Sequence, residues 1–313
     1  MSKSMDMQQK YRDIIERLDV NYKKIKTMRP LPAAGVAYFR NEFAISTTHN
    51  SNAIEGNTFT YDETKLLLEK GITSSARSFR EHEDIVGYKK GFDFLYEALK
   101  QGTEISEDFV KRIHSFVQQG AKDAGEYRTI QNYIGDLSRV VYTPCSPREV
   151  PDKMKDYIEK VRSDSKKNKD LMARENIEWE KLFHGFAEHH IEFERIHPFT
   201  DGNGRTGRLL LTYEMISLGL VPVDIRYDER SRYYAALAAY EDKLRYSTRP
   251  ESKTEKLAKL LAECELRSSD LWIKTFSDYC QADASETEKA DQAGQASASS
   301  PGGKGKEKAS RGK

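Results

Sequence analysis

Cysteine is scarce in this chain: three in 313 residues, Cys145, Cys264 and Cys280, spaced too widely for a paired zinc or redox motif. That excludes a disulfide framework and fits a reducing compartment. Net charge is almost absent as well, since 51 Lys and Arg against 50 Asp and Glu leave +1. The whole chain therefore offers no bulk attraction to nucleic acid or to anionic membrane. No stretch approaches the roughly 18 consecutive apolar residues of a bilayer span, and the polar start Met-Ser-Lys-Ser-Met-Asp lacks the character of an export signal. The expectation is a cytoplasmic protein with no membrane partner and no nucleic acid indicated; a homo-oligomer is compatible with all of this.

What is present is mostly helical periodicity. Tyr11, Ile14, Ile15, Leu18, Tyr22 and Ile25 share one face at three- and four-residue steps. The same spacing links Phe92, Leu95, Tyr96 and Leu99, then Phe109, Ile113 and Phe116, with Gly102 and Gly120 as stops. A further stripe, Trp179, Leu182, Phe183, Phe186, His190 and Phe193, must end near Pro198, and a helix restarts after Gly204 through Leu209, Leu210, Tyr213 and Ile216. The fold class is all-α. The exception is a short hairpin expected over 127–142, where β-favouring Tyr127, Thr129, Ile130, Tyr133 and Ile134 lead to a Gly135-Asp136 turn and Val140, Val141 and Tyr142 follow. Residues 281–313 hold Ala, Ser, Gly, Glu and Lys with no aromatic, a composition that predicts disorder. No internal repeat is present.

The chemistry concentrates in His197-Pro198-Phe199-Thr200-Asp201-Gly202-Asn203-Gly204-Arg205-Thr206-Gly207-Arg208. Gly202 and Gly204 let backbone N–H groups converge, and the following helix adds its positive N-terminal end, which makes an anion cradle. Arg205 and Arg208, three apart, can reach the same polyphosphate. Asp201 is a hard oxygen ligand beside it, as Mg²⁺ requires. His197 can accept a proton from a hydroxyl near neutral pH. Phe199 reads as a core anchor. Gly202, Gly204 and Gly207 also satisfy a dinucleotide-binding fingerprint, with Asp224 near its acidic position, but that fingerprint needs a buried strand before it. Here the preceding Glu192-Phe193-Glu194-Arg195-Ile196 continues a charged helix. His184, His189 and His190 match no common metal spacing and read as satisfied or exposed histidines.

The string matches H-P-F-x-D-G-N-G-R-x-x-R at every specified position, and about nine specified residues coincide by chance on the order of 10⁻¹² per start site. It resembles the signature of the Fic family. The resemblance implies an α-helical core over roughly 50–220 and an enzyme that moves AMP from ATP to a protein hydroxyl. By that likeness His197 is the base and Asp201 holds Mg²⁺. Gly202, Asn203, Gly204 and Arg205 would bind the α- and β-phosphates, and Arg208 the γ-phosphate. Upstream, Ser51-Asn52-Ala53-Ile54-Glu55-Gly56 resembles the family's inhibitory pattern [S/T]-x-x-x-E-[G/N], with Arg208 as the partner of Glu55. Ser51 and Glu55, four apart, share a helix face.

The hairpin takes the family's flap role, with Asn132, Tyr133 and Ile134 positioning an extended target segment through an exposed strand edge. The chain then divides into an N-terminal helical region (1–110) holding the inhibitory motif 51–56, a catalytic core (111–222), C-terminal helices (223–280) and the tail. Expected partners are ATP and a protein presenting a Ser, Thr or Tyr hydroxyl, and self-modification is expected. Two readings compete with transfer. One is removal of AMP from a modified target, with Glu55 placing the attacking water. The other is a toxin-like nucleotide-binding regulator whose chemistry is incidental.

Overall fold

The computed structural model describes residues 2–29, 31–73, 77–136, 139–246 and 251–298. Among them are ten α-helices: α1 (Ser2–Thr27), α2 (Ala33–Ile54), α3 (Tyr61–Lys70), α4 (Phe79–Lys100), α5 (Glu107–Val117), α6 (Val150–Met172), α7 (Trp179–Ile196), α8 (Asn203–Ser217), α9 (Arg230–Tyr246) and α10 (Glu251–Ala298). Two strands, β1 (Ile134–Asp136) and β2 (Arg139–Tyr142), form the one antiparallel hairpin among them. The all-α expectation holds.

Local chemistry sets the boundaries near the site. Thr60 and Ser78 open α3 and α4 with capping boxes closed by Glu63 and Glu81. At the end of α2 the chain reverses through Gly56, whose φ of +96° suits glycine. Asn57 then ties that turn to α4, its Nδ2 donating to the Glu81 carbonyl at 3.0 Å.

Helix α8 lies at the centre. From Arg205 to Met215 every side chain is buried, as an all-round enclosed helix must be. α4, α5 and α7 pack around it, with α2 at its N-terminal half. The two large apolar clusters run across the expected divisions. One joins Ile25 and Phe43 to Phe199 and Trp272; the other joins Leu18 to Phe183, Leu211 and Leu261.

Such a helix cannot carry charge without partners, and α8 carries three. Arg205 pairs with Asp84 of α4, Arg208 with Glu55 at the end of α2, and Glu214 with His189 of α7. His189, 1% exposed, is held between Glu214 (2.7 Å) and Asp164 (3.2 Å). His190 Nε2 meets the Tyr233 hydroxyl at 2.7 Å while its buried Nδ1 has no hydrogen-bond partner, and His184 meets Thr254 at 2.6 Å.

Three local expectations are corrected. The hairpin is shorter than 127–142: residues 127–133 follow the loop that binds the His197 segment, and pairing begins only at Ile134. Gly135 and Asp136 are not the turn: they lie in β1 and pair with Val140 and Arg139, and residues 137–138 lie outside the described residues. The backbone of 281–298 continues α10, where composition predicts disorder. Ala, Glu, Gln and Lys are strong helix formers, and extending an existing helix needs no new nucleus. Residues 299–313 lie outside the described residues.

The His189 cluster makes stability pH-dependent. Burial opposes its charge, but Glu214 and Asp164 raise its pKa from 6.5 to about 10. Its contribution is therefore complete below pH 6.5 and is lost as pH rises through 10. His189→Gln should be less stable than the parent by about 3 kcal/mol at pH 6. Urea denaturation should show that gap closing between pH 6.5 and 10; a gap independent of pH would show that the imidazolium is not what is bound.

Candidate active site

The His197 segment is a loop pinned from three sides. His197 closes α7 in the left-handed region with φ +48°, the one non-glycine residue there among those described. Arg128, 3% exposed, holds it. Its Nε donates to the His197 carbonyl at 2.8 Å, and its terminal nitrogens donate to the carbonyls of Cys145 (2.6 Å), Ile130 (3.2 Å) and Ile196 (3.4 Å). Five donors on a rigid fork suit that task.

Beneath the loop Phe199 is fully buried, stacked on His114 at 3.6 Å between centroids. The Gly125 N–H donates to His114 Nδ1 at 2.9 Å, so Nε2 carries the proton and donates to the Asp201 carbonyl at 3.0 Å. Burial lowers the His114 pKa to about 4, which keeps that tautomer neutral. From the flap side, Asn132 Nδ2 donates to the carbonyls of Phe199 (2.9 Å) and Thr200 (3.3 Å).

The His197 ring is set for a base. Its Nδ1 lies 3.2 Å from the Glu194 carbonyl, which can only accept, so Nδ1 is protonated and Nε2 keeps the lone pair. Burial lowers its pKa from the usual value, with Arg128 acting in the same direction and the Glu194 contact against it.

The cradle follows. Gly202, at φ +76°, opens α8 with no side-chain cap, so the first amides of the helix and its positive end face the site. Asn203 is not aimed at a ligand: its amide bonds the Phe199 N–H (2.9 Å) and carbonyl (2.8 Å) and so staples the loop. Arg205 is buried against Asp84. Asp201 points outward with 73% of its side chain exposed, 3.8 Å from Arg80 and 3.9 Å from Arg205. Among the described residues no group of three acidic, histidine or cysteine side chains could hold a metal. One exposed carboxylate at the lip of a phosphate cradle is nonetheless the donor set Mg²⁺ takes when substrate phosphates complete its shell.

An anion already occupies this end of α8. Glu55 Oε1 accepts from Arg208 Nη2 at 2.8 Å and lies where a Cβ on Gly204 would stand. Ser51 completes the grip, its hydroxyl accepting from Arg208 Nε at 2.8 Å and its carbonyl from Nη2 at 2.9 Å. Burial would lower the Arg208 pKa, yet the Glu55 carboxylate holds it above the ordinary value. Gly56 provides the turn that follows. A second carboxyl, Glu194 Oε1, is buried without a hydrogen-bond partner where a Cβ on Gly207 would stand.

Residues 104–215 match the sequence model of the Fic/DOC family. The chain carries a Fic domain. It is 35% identical over 193 residues to protein adenylyltransferase fic-1 of Caenorhabditis elegans, covering 60% of this chain and 35% of that one. Against protein adenylyltransferase Fic of Nematostella vectensis it is 31% identical over 227 residues, 71% of this chain and 49% of that one. The chain thus spans between a third and a half of these curated relatives. Among solved structures, a Fic domain containing signaling protein from Bacteroides thetaiotaomicron superposes with a TM-score of 0.71 at 26% identity, over 84% of this chain and 98% of that one. Residues 134–508 of C. elegans Fic-1 share the fold with a TM-score of 0.68 at 24% identity, over 88% and 74%.

The structure brings His197, Asp201, Gly202, Gly204, Arg205, Arg208, Ser51 and Glu55 to the two sides of one Fic loop. Of the flap residues, Asn132 bonds that loop, Tyr133 is 66% exposed and Ile134 opens β1. Sequence reasoning missed His114, Asp84, and Tyr233 and Tyr234 of α9. The Tyr233 ring lies 5.8 Å from the Arg208 guanidinium carbon, and the Tyr234 hydroxyl donates to the Ile54 carbonyl at 3.3 Å. It also missed the role of Arg128, although Gly125-Glu126-Tyr127-Arg128 stands beside the hairpin.

Arg128→Ala leaves several buried carbonyls without a donor and should cost about 2–4 kcal/mol of unfolding free energy. Arg128→Lys should recover little, because one ammonium cannot span them. A loss in urea denaturation under about 1 kcal/mol would remove Arg128 from this role.

Proposed function

We propose that this chain is an autoinhibited protein adenylyltransferase that moves AMP from ATP to a Ser, Thr or Tyr hydroxyl of a protein, itself included. What supports the reading above all is the Glu55 carboxylate laid across the cradle and paired with Arg208 at 2.8 Å. An uncapped helix end and a buried arginine that accept a carboxylate there suit a phosphate equally well. The relatives named adenylyltransferases supply the reaction class.

In this reading the ATP γ-phosphate takes the place of Glu55 on Arg208, and the cradle amides hold the α- and β-phosphates. His197 Nε2 removes the proton of the target hydroxyl, whose oxygen attacks the α-phosphorus in line as the bond to pyrophosphate breaks. Asp201 would hold Mg²⁺, which neutralises charge on the phosphates. The β1 edge beside Asn132, Tyr133 and Ile134 would pair with the target backbone, which selects an extended segment. Removal of AMP is the second reading, favoured by Glu55 being 35% exposed and so open to water.

Glu55→Gly should raise AMP transfer, self-modification included. A charge-assisted hydrogen bond of about 1.5–3 kcal/mol corresponds to roughly ten- to a hundredfold if it all appears in the barrier. Adding Arg208→Ala should abolish the gain, because the γ-phosphate ligand goes with it. A folded Glu55→Gly no faster than the parent at any ATP concentration would overturn autoinhibition.

His197→Ala should abolish transfer while ATP affinity, read by calorimetry, stays near the parent's, since the base touches the hydroxyl and not the phosphates. Undiminished transfer would remove His197 as base. An intact biological effect without transfer would favour the regulator reading.

A further inference from the structure

Glu55 inhibits only if the last turns of α2 keep the rotation and depth that lay it on Arg208. Helix ends fray first, because their terminal carbonyls lack partners. Something outside the Arg208 contact must therefore hold this one.

The hold is visible on another face of α2. Residues 46, 50 and 54 recur at four-residue steps and meet the segment 224–234. Ser46 Oγ donates to Asp224 Oδ2 at 2.6 Å, and Asn50 Nδ2 donates to both carboxylate oxygens, at 3.0 and 2.9 Å. Asn50 Oδ1 in turn accepts from the Tyr227 N–H at 3.1 Å, and Tyr234 reaches the Ile54 carbonyl. Both side chains bonded to Asp224 thus come from α2, within the three turns that precede Glu55.

A half-buried carboxylate costs stability unless it is paired. Among the described residues no cation lies within ion-pair distance of Asp224; Arg226 and Arg267 act on it only through space. Neutral donors from α2 compensate it instead, so the acid and the helix end depend on each other. Asp224 also stands between two cavities. A small one lies under Ser51, Tyr88 and Arg208, and an open one of about 240 Å³ on its other side is lined by Glu42, Ser46, Arg226 and Arg267. Losing its bonds would expose the α2 seam to water from both.

We propose that Asp224 is the latch of the inhibitory helix: by gathering Ser46 and Asn50 it fixes the register of α2, and so keeps Glu55 in the phosphate cradle without itself touching nucleotide. The consequence for activity rests on the autoinhibition reading above. Asp224 is a positioning residue, and it acts through Glu55.

The test compares the full chain with Asp224→Ala, reading amide hydrogen exchange over 51–56 and self-modification with labelled ATP. Exchange there should quicken, and transfer should rise by about fivefold or more without exceeding Glu55→Gly. On a Glu55→Gly background Asp224→Ala should add nothing, and Asp224→Asn, which keeps an acceptor oxygen, should return most of the inhibition. If Asp224→Ala does not fold, the double variant Ser46→Ala/Asn50→Ala breaks the same contacts from the helix side and is read identically. Unchanged exchange over 51–56 in a folded variant overturns the latch. So does a rise in transfer that multiplies with that of Glu55→Gly. Faster exchange with transfer unchanged in both Asp224→Ala and Glu55→Gly upholds the latch and overturns autoinhibition instead.

Discussion

The structure is organised around the problem of burying the Arg208 guanidinium inside a helix enclosed on all sides. Its side chain is 6% exposed and reaches one carboxylate, which arrives from 153 residues earlier in the chain. A buried cation must have an anion, so the closed state of α2 compensates a charge that the apolar clusters cannot. The same requirement fixes what can displace Glu55. A neutral group would leave Arg208 uncompensated, whereas a phosphate restores the charge and brings more acceptor oxygens. On the reading proposed above, Glu55 and the nucleotide are alternatives at one electrostatic position.

Around that exchangeable position the rest is held fast. His197 adopts a positive φ that costs a non-glycine residue on the order of 1 kcal/mol, and it persists because Arg128 binds its carbonyl while His114 and Phe199 brace the loop from below. Asn203 closes the turn on itself through Phe199. The His197 ring and the first turn of α8 are thus held in place by the fold, and on the proposed reading what moves is the end of α2. Preorganised donors that need no rearrangement at the moment of reaction are where a phosphoryl-type transfer gains most.

The parts legible in the sequence were those whose chemistry is local. Helical stripes and the stretch 197–208 can be read because the partners in them lie within a turn or two, and the pairing of Glu55 with Arg208 followed from a family pattern rather than from spacing. What escaped depends on contacts made across the fold. Asp84 and His114 look ordinary in sequence and Asp224 stands out only for a motif that does not apply; each acquires its role from a partner more than 80 residues away. Asn203 shows the opposite limit: its place in the motif is plain, but that its amide staples the loop needs coordinates. The hairpin was placed too wide because β-favouring residues from Tyr127 to Tyr133 serve loop and core contacts, a case of tertiary context overriding propensity.

Two carboxyls stand over the glycines in the first two turns of α8, and they come from different elements. Glu55 stands over Gly204 from the end of α2, and Glu194 stands over Gly207 from α7, which the core holds in place. Were Glu194 ionised, Arg208 would carry a permanent counter-ion and an incoming phosphate would meet a fixed negative charge. Burial raises the Glu194 pKa to about 8, with the Glu55 charge adding to the rise and Arg208 opposing it. Burial thus favours the neutral acid. A carboxyl whose neutral form burial favours leaves Arg208 to Glu55 and, on the proposed reading, to the nucleotide that displaces it. On that reading, α2 is the element whose position decides whether the cradle is filled by Glu55.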